Sequence, residues 1–211
     1  MEQKTPRDFF LYLLSSATLY YSAVWLITLW YQYINHWFPE PSAYNYAEVG
    51  VSSAMRWALA SLIIVFPVYI GVTHFLNNDL ERHPEKRELR IRKWLMYITL
   101  FLAAVTIIVD LVALVFNLLD GDFTARFLLK VLSVFIVAGM VFGYYFYELR
   151  RDIGKTAPAR GLFRYSALVL VLISVVGAFF IVGSPLASRQ RRYDQQRVSD
   201  LQNIQWQLVN Y

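Results

Sequence analysis

Five long apolar runs, at 9–31, 52–76, 94–119, 127–149 and 162–182, are separated by polar connections that differ in charge. Each run exceeds the roughly 17 residues an α-helix needs to cross the hydrocarbon core of a bilayer. The pattern predicts an all-α integral membrane bundle of five transmembrane helices over residues 1–183. A further helix is predicted over 184–211, amphipathic and extracytoplasmic, possible start of a further domain.

Local signals sharpen the ends of these runs. Thr5-Pro6-Arg7-Asp8 reads as a helix start, with Thr5 as N-cap and Pro6 at the first helical position. The first run is long and aromatic and ends in Trp30-Tyr31 without a small-residue cleavage site, so it reads as a permanent helix rather than a signal peptide. His83-Pro84-Glu85 reads as a second helix start that places the third helix two turns ahead of Trp94. Gly154 reads as a C-cap followed by a turn through Lys155-Thr156-Ala157-Pro158, and Ser184-Pro185 as the start of the last helix. Pro67 lies inside the second run with Gly71 one turn later; the choice is between a packing kink and a hinge or gate.

Charge sets the orientation. Arg82, Lys86, Arg87, Arg90, Arg92 and Lys93 crowd one connection, and Arg150, Arg151, Lys155, Arg160 and Arg164 another. Positive-inside bias assigns both to the cytoplasm. The connections with Glu40 and Glu48, and with Asp120 and Asp122, then face outward. The N-terminus is inside and the C-terminal tail outside, in what reads as a bacterial inner membrane. Arg189, Arg191, Arg192 and Arg197 of the tail run against the rule, which a translocated extracytoplasmic domain tolerates.

Composition then narrows the chemistry. With 57% hydrophobic and 17% charged residues the chain is too apolar for a soluble domain of its length. The net charge of +5 lies largely in connections beside the spans, so nucleic acid is not an expected partner. The absence of cysteine removes disulfides, thiolate metal sites, iron–sulfur clusters and cysteine nucleophiles. Only His74 lies near a span, no lysine sits at mid-membrane, and no Ser/His/Asp arrangement shares one layer of the membrane. No cofactor, metal or catalytic residue is expected.

Ionisable groups within spans are functional hypotheses by default. Arg56, Asp110 and Lys130, with Asn117 nearby, fall in the outer half under this topology, where Asp110 can pair with Arg56, Lys130 or both. One reading is a structural ion pair; the other is a proton- or ion-carrying site opening outward. Gly139 and Gly143 form a small-xxx-small pair, and Ser174 with Ala178 a second, which suit close helix packing. Tyr20, Tyr21 and Trp25 lie deep in the first run and suit packing against another helix or a pigment. In the tail, Leu201, Ile204, Leu208 and Tyr211 recur as one apolar stripe that needs a partner. The chain stops at Tyr211 without a helix-terminating signal, as if more protein followed.

Arg56-Trp57-Ala58 leading to Phe66-Pro67, Arg92-Lys93-Trp94-Leu95 with Tyr97 and Thr99-Leu100, Asp110-Leu111, Asn117, and the run from Thr124 to Val131 resemble a bacterial family of multi-span membrane proteins described only as a domain of unknown function. The resemblance spans the first four runs and implies a membrane fold without an activity. Residues 197–205 resemble the segment after the membrane helix in some type IV pilin-like proteins, which implies an external head or docking helix. The expected function is a membrane scaffold or accessory subunit that presents the last helix to a protein partner or a second copy. The alternative is a small transporter or ion-coupled membrane protein using Asp110, Arg56 and Lys130.

Overall fold

The computed structural model describes residues 6–38, 47–83, 89–121, 124–150, 158–182 and 185–209, with side chains described over 6–38, 53–83, 89–121, 124–150, 165–182, 193–194 and 196–207. Among these residues there are six helices and no strand: α1 (Pro6–Trp37), α2 (Ala47–Arg82), α3 (Arg90–Asp120), α4 (Ala125–Arg150), α5 (Pro158–Val182) and α6 (Pro185–Val209). The first five are long and apolar enough to cross a membrane. Large apolar side chains such as Phe101, Leu119 and Phe180 point outward, suited to contact with lipid.

The helices outrun the apolar runs that announce them. α1 has 32 residues, about 48 Å at 1.5 Å per residue, against a hydrocarbon core of about 30 Å. Hydropathy marks the length immersed in lipid, whereas backbone hydrogen bonding continues through interfacial residues such as Gln32, Asn35, Asn77 and Asp79. α2 runs unbroken across Pro67, whose ring faces outward.

Two boundaries differ from the sequence reading. α3 begins at Arg90, because Leu89 has φ −52° and ψ 124°, outside the helical region, so the helix starts one turn ahead of Trp94 rather than two. Pro158 is the first residue of α5 rather than part of the preceding turn, the position where its missing N–H costs nothing. α3 ends on Gly121, at φ 80°, whose N–H reaches the carbonyls of Asn117 and Leu118. A side chain would be strained there. α4 opens on Thr124, whose Oγ1 accepts from the Phe127 N–H at 3.3 Å. Thr5, Pro84, Glu85, Gly154, Lys155, Thr156, Ala157, Ser184 and Tyr211 lie outside the described residues, as does the side chain of Leu208.

α1 is the centre of the bundle and packs against α2, α3, α4 and α5, while among the described residues α2 and α3 share no extended seam. The core joins Leu26 and Leu29 of α1 to Met55, Ala58, Leu59 and Leu62 of α2, Val137 of α4, and Val171 and Ala178 of α5. α6 is polar, and its described side chains are exposed. It shares no extended seam with α1–α5 among the described residues.

Candidate functional site

In lipid a hydroxyl has no water to bond, so each must find a protein acceptor. Most here fold back on their own helix: Ser16, Thr18, Thr28, Thr99, Thr106, Ser133 and Ser174 each donate to the carbonyl four residues earlier. Others bridge helices. Ser15 and Thr73 meet at 3.3 Å, and Tyr21 and Ser61 at 3.3 Å, tying α1 to α2 in antiparallel register. Tyr20 meets Thr99 at 2.6 Å. Because the single Thr99 proton goes to the Leu95 carbonyl, Tyr20 is the donor.

The second small-residue pair marks the α1–α5 seam. Trp30 Nε1 donates to Ser174 Oγ at 2.8 Å, and the Tyr33 hydroxyl donates to the Ser174 carbonyl. Gly177 opens the space for Tyr33, since a Cβ there would stand 3.0 Å from the Tyr33 hydroxyl. Ala178 is fully buried on the same face. Gly139 is different: nothing lies within 4 Å of where its Cβ would stand, so it mediates no close approach within the chain. Gly143 is partly buried two turns from the end of α4.

The ionisable residues of the spans fall into two groups at opposite ends of the α3–α4 seam. At one end Arg92 and Glu148 form a 2.8 Å ion pair, with side-chain exposures of 14% and 9%. The antiparallel register that joins them brings Lys130 to the level of Asp110, 18 residues or about 27 Å along α3. That separation is close to the thickness of the hydrocarbon core.

Asp110 forms no ion pair among the described residues at this second end. Asp110 is 8% exposed, its Oδ2 is buried with no hydrogen-bond partner among the described residues, and no cation stands within 4.0 Å of it. Tyr31 of α1 is partly buried at this end. Lys130 places its ammonium over the Tyr31 ring, 5.6 Å from the centroid. One turn on, Arg126 donates to Asn35 Oδ1 from Nε at 3.1 Å and from an η-nitrogen at 2.8 Å. Arg56 stays on α2, separated from Asp110 by α1. Asn117 is absorbed by its own helix, donating to the Ala113 carbonyl at 2.9 Å.

The bundle also encloses space that the apolar runs do not reveal. A chamber of about 240 Å³ lies among α1, α2, α4 and α5, walled by residues such as Leu19, Leu26, Ile70, Met140 and Val171. A smaller polar recess of about 70 Å³ reaches Arg92 and Glu148. The two share Tyr69, Thr73, Tyr144 and Tyr145. Glu148, the one acid in α4, escapes a sequence reading because it sits at the very end of the fourth apolar run, against the basic connection that opens at Arg150. Among the described residues no three His, Asp or Glu side chains gather as a metal site would require.

On α6 the exposed side chains include Leu201 at 65% and Ile204 at 52%, with Val198 and Trp206 also outward.

Neither a curated protein nor a solved structure matches the chain. A family model does match, over residues 8–145, from the first turn of α1 to the shared wall of the chamber and recess on α4. The chain belongs to the family described as a domain of unknown function, DUF5671.

Proposed function

We propose that this chain is an integral membrane scaffold or accessory subunit of the bacterial inner membrane, which holds α6 on the extracytoplasmic side for a protein partner or a second copy. The observation that carries the reading is α6 itself: Leu201 and Ile204 are exposed on one stripe that Leu208 continues in sequence, and among the described residues α6 shares no extended seam with the bundle. An apolar stripe of this kind is stabilised by burial against a partner. The bundle supports the role through interhelical bonds centred on α1, which give a rigid base.

Purification of the tagged chain from native membranes in mild detergent, followed by mass spectrometry, tests this. A stoichiometric partner that is lost on Leu201→Asp or Ile204→Asp is the expected result. Recovery of the chain alone, identical for both variants and the parent, retires the reading.

A second reading, an ion-coupled membrane protein, is favoured by one observation: the buried Asp110 Oδ2 with no hydrogen-bond partner among the described residues. In liposomes, Asp110→Asn then abolishes proton or ion flux while the protein stays folded. Absence of flux in the parent chain sinks this alternative.

A further inference from the structure

α1 carries five serine and threonine side chains, and four of them are hydrogen-bonded: Ser15 to Thr73, and Ser16, Thr18 and Thr28 to carbonyls of their own helix. Ser22 is the exception. Its hydroxyl is buried, has no hydrogen-bond partner among the described residues, and lines the chamber among α1, α2, α4 and α5. An unmade hydrogen bond in so apolar a place is costly to the fold, and its neighbours show that α1 readily satisfies hydroxyls at other positions.

The cavity has one end for each half of an amphiphile. Its chamber is walled mainly by Leu, Ile, Val, Met and Ala side chains. Towards the polar recess the walls change to Tyr69, Thr73, Tyr144 and Tyr145, with the Tyr144 and Tyr145 rings edge to face at 5.2 Å. Residues of α1 lining the two spaces run from Tyr12 to Leu26, about 21 Å along the helix, so an occupant is elongated. The charges nearest the polar end, Arg92 and Glu148, pair at 2.8 Å and cancel in formal charge, and the other titratable groups of the lining are His74 and tyrosines. α4 and α5 pack only marginally on each other, so the chamber has its loosest wall on the lipid side.

From this we infer that the chamber and recess form a binding site for an uncharged amphiphile, with its apolar body among α1, α2, α4 and α5 and a carbonyl or hydroxyl head at Tyr69, Thr73 and Tyr145, where Ser22 supplies a further hydrogen bond to the bound molecule. Glycerolipids with a free hydroxyl and quinones with an apolar side chain share this chemistry. The site is independent of the role of α6.

The test uses the full chain in detergent with two probes, dioctanoylglycerol and a decyl-substituted benzoquinone, read by thermal shift and by native mass spectrometry. Saturable binding of at least one probe is expected, and the tighter one identifies the source. Ser22→Ala weakens it about three- to tenfold, the loss of one hydrogen bond, while the unliganded melting temperature stays level or rises. Ala167→Phe, which fills the chamber, abolishes binding. Should that variant fail to fold, solvent extraction of the parent chain decides: a stoichiometric uncharged amphiphile supports the site, and extracted lipid in the proportions of the whole membrane overturns it. Absence of saturable binding by both probes, equal affinity in Ser22→Ala, or tighter binding of decanoate than of decanol also overturns it.

Discussion

Tyr33 and Gly177 show how much a single missing methyl group can decide. The Tyr33 hydroxyl reaches the Ser174 carbonyl only because position 177 has no Cβ, which would stand 3.0 Å from it. Gly177→Ala forces the ring aside and is expected to cost about 1–3 kcal/mol, the usual range for overpacking. Tyr33→Phe removes the offending oxygen, so the double variant should be less destabilised than the sum of the two single changes. Thermal melts of the four proteins in one detergent check this, and strictly additive effects would show that the contact carries no coupling. Ser174 and Ala178 were legible in the sequence as a small-residue pair, but Gly177 was not, because its partner lies 144 residues away on another helix. Sequence separation likewise hid the approach of Lys130 to the Tyr31 ring, 99 residues earlier on another helix.

The helices themselves were the most legible part of the chain, since a run of apolar residues matched to the bilayer leaves the backbone few other conformations. Their pairing was less so. Nothing in the separate runs of α3 and α4 announces that Arg92 meets Glu148, and the nearest acid in sequence, Glu88, is the more obvious partner by helical spacing. With both side chains largely buried, removing one leaves the other charge in a poor solvent. Arg92→Met or Glu148→Met alone is expected to destabilise the bundle by about 3–5 kcal/mol, and the double change to recover most of that loss. Chemical denaturation in mixed micelles measures it; a double variant as weak as the worse single one would place the strength of the seam elsewhere. The expected pairing of Asp110 with Arg56 illustrates the converse. Helical spacing put both at a similar depth, but α1 separates their helices.

For the molecule as a whole, the family match and the bundle nearly coincide: residues 8–145 take in α1 to α4, while α5 completes the core through Val171 and Ala178. α6 stands outside both. Its proposed extracytoplasmic position can be checked directly because the chain contains no cysteine. A single Ser199→Cys is expected to react with a membrane-impermeant maleimide added to intact cells, and a single Glu85→Cys only after lysis. The reverse pattern would put α6 in the cytoplasm and end the scaffold reading in its present form.

The central place of α1 bears on how such a protein is made. α1 leaves the ribosome ahead of α2–α6, yet Trp30 and Tyr33 bond to Ser174, which is synthesised more than 140 residues later. At elongation rates of up to about 20 residues per second, that gap lasts about 7 s or more. For that time the innermost helix is without its α5 partner, and its bonds to α2 and α3 are the ones available to it. The centre of the bundle is therefore inserted ahead of the helices that surround it and is completed only when α5 arrives.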